Sequence, residues 1–82
     1  MAIREQDIPE FQALYKSLFY KKYDVNQYRF LGVHFITGKS EPVIITGVSH
    51  AIGGSNIYCI ADTNGITQIC SSFDEAKREI GV

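Results

Sequence analysis

Between Pro42 and Phe73 the chain carries one formal charge, Asp62, in 32 residues, where its overall 21% charged fraction would place six or seven. The stretch is built instead of Val, Ile, Tyr, Cys, Thr, Ser and Gly, a mixture that favours pleated, half-buried strands. A sheet made from it lacks the charges that normally keep exposed strands soluble and their edges unpaired. Whatever covers that sheet must come from the two ends of the chain. Helices there are expected to shield one face and leave the other as a contact surface.

The rest of the composition sets broad limits. Eighty-two residues make one domain, residues 1–82, with a modest core. A hydrophobic fraction of 45% and an aromatic fraction of 12% belong to a folded chain. The net charge of −1 argues against a global electrostatic grip on nucleic acid, and equally against an acidic mimic of it. No apolar run approaches the roughly 18 residues of a membrane span. Met1 to Asp7 is polar and lacks a signal peptide's apolar core, which points to the cytoplasm. Two cysteines do not make a disulfide framework.

Periodicity gives an α-β-β-β-β-α order. Ile8, Phe11, Leu14, Tyr15, Leu18 and Phe19 recur at helical spacing and predict a helix over residues 8–22. Asp7 and Glu10 stand at capping-box spacing before it, and Lys21 and Lys22 suit its negative end. Strands are expected over 28–37, 43–48, 56–62 and 66–71. In the first of these, strict alternation groups Leu31, Val33 and Phe35 on one face and Tyr28, Phe30, His34 and Ile36 on the other. Two apolar faces suggest a central strand. Asn64-Gly65 predicts a hairpin turn, and Ser72-Phe73-Asp74-Glu75 a capping box opening the last helix. The expected architecture is α+β: a two-layer sandwich of a four-stranded antiparallel sheet, in meander order, with both helices on one face.

Few residues offer chemistry. An Asn64-Gly65 turn would set Cys59 opposite Cys70, either as reduced neighbours or as a strained disulfide pair. His34 and His50 could join them, but the short knuckle spacing of zinc sites is absent, so no metal and no cofactor is expected. No serine lies in a Gly-x-Ser-x-Gly context, and carboxylates are scarce in the sheet, so no catalytic residue is assigned. Gly53-Gly54-Ser55 precedes a strand rather than a helix, which removes the dipole a phosphate loop needs.

Subtraction leaves binding. The expectation is a small non-enzymatic protein-binding module: an inhibitor, adaptor or accessory factor, such as phages encode against host enzymes. It would use the uncharged sheet face and the 49–55 loop, through His50, Ile52, Ser55, Tyr58 and Thr67. Its partner would be another protein or a second copy of itself, with no membrane involved. The alternative is a nucleic-acid-binding module that uses Lys16, Lys21, Lys22 and Arg29 with nearby tyrosines.

Overall fold

A computed structural model describes residues 8–35, 42–50 and 53–81, with side chains in the first helix from Gln12 onward. Its elements are α1 (Ile8–Lys22), β1 (Tyr28–Phe35), β2 (Val43–Ser49), β3 (Ser55–Asp62), β4 (Gly65–Cys70) and α2 (Phe73–Glu79). The strands form one antiparallel sheet in the order β1-β2-β3-β4. The α+β inventory and the meander therefore match expectation. Asp7 and Ile36 lie outside the described residues. Among those residues no helix is long and apolar enough to cross a membrane.

The helices do not share a face. Strand alternation sends Val43 and Ile45 of β2, with Cys59 and Ala61 of β3, to a first face, where they bury against Tyr15 and Phe19 of α1. Ile44 and Ile60 point the other way and bury against Ala76 of α2, flanked by Phe73 and Ile80. The arrangement is three layers, α1, sheet and α2. Both faces of β2 are thus apolar and buried over Val43–Ile45. Each fully buried large side chain contributes about 1.5–3 kcal/mol, so neither helix can be lost cheaply.

Two β-bulges explain why strict alternation fails. In β1 the register shifts between Phe30 and Gly32, so Leu31 is the extra residue. The shift puts Tyr28 and Phe30 on the same face as Val33 and Phe35, and all four pack on the α1 cluster. Leu31 is left 51% exposed. Nor is β1 central: it is an edge strand, with its paired apolar side chains on the first face and Arg29, Gly32 and His34 on the second.

The second bulge lies in β4, where Gln68 faces Ile60 but Ile66 faces Ala61, leaving Thr67 over. The hairpin closes one residue earlier than Asn64-Gly65 implies. Asp62 faces Gly65, and the Asp62 carboxylate accepts from the N–H groups of Asn64 and Gly65 at 2.8 and 3.2 Å. Gly65, at φ 141°, takes the backbone conformation that a side chain would resist. Cys70 consequently faces Tyr58, on the second face, and Cys59 faces Ile69. The chain leaves β4 on that second side, and α2 follows it there.

Serine opens α2. Ser72 Oγ accepts from Glu75 N–H at 3.1 Å, while the Glu75 carboxylate reaches back one residue further than a standard capping box, to the N–H and hydroxyl of Ser71 at 3.1 and 2.9 Å. These contacts hold the Glu75 carboxyl below its ordinary range.

Candidate partner-binding surface

With only seven residues, α2 covers part of the second face. Besides the row through Ile44 and Ile60, two rows of residues cross the sheet on that side. One joins Arg29, Val48 and Asn56; the other joins Gly32, Thr46, Tyr58 and Cys70. Cys70 is buried beneath α2, whereas Arg29 and Asn56 are exposed and Thr46, Val48 and Tyr58 are half-buried. Leu31, the extra residue of the bulge, is exposed next to Gly32 in the chain. A Cβ built on Gly32 would meet nothing within 4 Å, so the space above it is open. One border is an aromatic shelf: Phe73 meets His34 edge-on at 4.8 Å and Tyr58 at 6.1 Å, with Lys77 Nζ 5.4 Å from its ring centre. Arg29 supplies a positive charge within this patch, and Lys77 stands at its border.

The residues singled out from the sequence scatter. His50 is exposed just beyond β2, where its backbone N–H donates to the Gln27 carbonyl at 2.7 Å. Ile52 lies outside the described residues. Ser55 is exposed opposite Ser49, on the side of the first face. Thr67 is exposed in the bulge, its hydroxyl donating to the Ile60 carbonyl at 3.2 Å. Of the described members of that set, Tyr58 alone lies in the patch. The four cations are divided as well, because Lys16, Lys21 and Lys22 are exposed on α1 while Arg29 projects from the opposite face. What the structure joins is Tyr58 from one set with Arg29 from the other. Leu31, Thr46, Val48 and Asn56 had not been singled out. An isolated glycine within a strand, Gly32, was the signal for the bulge that exposes Leu31.

The cysteines are not neighbours. Cys59 lies on the first face and Cys70 on the second, each in a different core cluster. Tyr23 Oη approaches Cys59 Sγ at 3.7 Å. Burial pushes the Cys59 thiol up, against the opposing pull of the Tyr23 contact and Lys22. Burial, then the nearby Cys59, also pushes the Tyr23 hydroxyl well above its ordinary range. Burial beneath α2, with the carboxylates of Glu75 and Glu79, raises Cys70. Both thiols are held protonated and shielded, the opposite of an activated nucleophile. Among the described residues no three His, Cys, Asp or Glu side chains gather as metal ligands.

Compared with known proteins, the chain matches no family model, no curated protein and no solved structure.

Proposed function

We propose that this chain is a non-enzymatic binding protein, an inhibitor, adaptor or accessory factor, that holds another protein against the uncovered part of its second sheet face. The observation that supports this is the short reach of α2, which leaves Arg29 and Tyr58 beside the open space at Gly32, with the exposed Leu31 next to it in the chain. Arginine and tyrosine are the residue types that most often dominate binding energy at protein interfaces, and half-exposed leucine adds apolar area at little cost. The split of the four cations between opposite sides favours this reading over nucleic acid, which a continuous basic groove would hold. Its proposed setting is the cytoplasm, where two unpaired thiols stay reduced.

The test is affinity capture with the tagged full chain, compared with Leu31→Asp and Arg29→Glu, both checked for folding by circular dichroism. One protein recovered stoichiometrically by the wild type and lost with Leu31→Asp is the expected result. Recovery unchanged in both variants would move the interface elsewhere. Salt-sensitive binding of the wild type to single- or double-stranded nucleic acid would overturn the reading.

A further inference from the structure

The two edges of the sheet are protected very differently. At β1 the Phe30 N–H donates to the Tyr20 hydroxyl at 2.9 Å, Arg29 supplies a charge, and the Leu31 bulge breaks the ladder. β4 has a bulge too, but Gly65–Cys70 contains no charged residue, and Thr67, Gln68 and Ile69 are exposed. Edge strands normally carry charge or cover against pairing with another chain.

The bulge gives β4 an unusual symmetry. Ile66 and Ile69 stand three residues apart, a spacing that puts side chains on opposite faces of a regular strand. Here both point to the first face, because their partners are Ala61 and Cys59. The order Ile66-Thr67-Gln68-Ile69, apolar-polar-polar-apolar, has the same character in either direction. Above it runs α1. At 100° per residue, Leu14 and Leu18 lie on the flank of α1 away from Tyr20. Tyr20 reaches β1, so that flank overlooks β4, which α1 also touches. Leu14 is 38% and Ile69 48% exposed.

We propose that β4 pairs antiparallel with β4 of a second copy of this chain, joining two sheets into one of eight strands. A two-fold axis between Thr67 and Gln68 sets Ile66 of each copy opposite Ile69 of the other, giving two equivalent apolar pairs. Self-complementarity is what an isologous contact requires, and the direction-independent pattern of this strand supplies it. A strand with no charge places no like charges opposite each other when it meets itself. The surface is separate from the patch around Arg29 and Tyr58 and does not rest on the function proposed for it.

Sedimentation of the purified full chain from about 1 µM to about 500 µM tests this directly. The wild type is expected to dimerise, and Ile69→Lys to weaken the dimer at least about tenfold while remaining folded. A wild type that stays monomeric throughout, or a folded Ile69→Lys that dimerises as before, overturns the proposal. So does a dimer abolished by Leu31→Asp but not by Ile69→Lys, which would place the contact on the second face. Should Ile69→Lys fail to fold, wild-type amide exchange decides. Protection at Ile66 and Ile69 that rises with concentration supports the pairing, and concentration-independent protection refutes it.

Discussion

The end of the Phe19 ring packs against Gly47: a Cβ built there would stand 2.5 Å from Phe19 Cζ and 2.8 Å from Cε2. Phe19 is fully buried and held by the rings of Tyr20, Tyr23 and Phe30 at centroid distances of 5.4, 4.9 and 5.9 Å, so it has nowhere to swing. The Arg29 carbonyl, 3.2 Å from the same point, closes the other side. Gly47→Ala is expected to cost about 1–3 kcal/mol, the usual penalty for overpacking a core. Urea unfolding measures it, and a neutral result would mean that α1 can lift from the sheet.

Tyr20 does two tasks, packing on Phe19 and covering the Phe30 N–H. Tyr20→Phe keeps the first and removes the second. The expected loss is about 1 kcal/mol, with faster amide exchange at Phe30 as the specific signature. Exchange unchanged at Phe30 would show that the hydroxyl does not guard this edge.

Cys59 predicts a fall in stability in alkali. Its folded-state pKa is raised, so below the ordinary thiol range, about 8.5, both folded and unfolded chains keep the proton and the contribution is complete. As pH climbs from there the unfolded chain ionises first, and stability drains until the folded thiol titrates too. Tyr23 and Cys70 act in the same sense, the tyrosine at higher pH. Unfolding free energies from about pH 7 to about pH 10 should therefore decline, and Cys59→Ala should flatten part of that decline. An identical slope in the variant would assign the effect elsewhere.

The same placement predicts no intramolecular Cys59–Cys70 disulfide, since the side chains project from opposite sides of the sheet. Mild oxidant should leave both thiols titratable in the folded monomer. A mass loss of two hydrogens without dimer formation would contradict the register of β4.

Ser72→Ala should cost about 1 kcal/mol through loss of the α2 cap. Because α2 is the cover of Ile44 and Ile60, the exchange of amides in central β2 and β3 should also quicken. Protection unaffected there would mean that α2 contributes little to the second core.

The inventory of elements was legible because each rested on local chemistry: the 3.6-residue stripe ending in Tyr15, Leu18 and Phe19, the charge-poor strands, the Ser72 cap. What misled was position along a ladder. Alternation carries a face assignment only while each residue has one partner, and Leu31 and Thr67 have none. Asn64-Gly65 signalled a hairpin correctly but not its closing pair, because Asp62 can bond to two backbone N–H groups and draw the turn one residue back. Those slips account for the misplaced Cys70 and the misplaced α2. Leu31 is hidden for the same reason, because an interior β1 would bury it.

Thr67 is thus a residue the ladder can spare. A chain lacking it would run from Ile66 straight into Gln68 with every later pair unchanged, Cys70 still opposite Tyr58 and α2 still on the second face. Deleting Thr67 should therefore be far milder than deleting Ile69, which would slide the polar Gln68 into the place opposite Cys59.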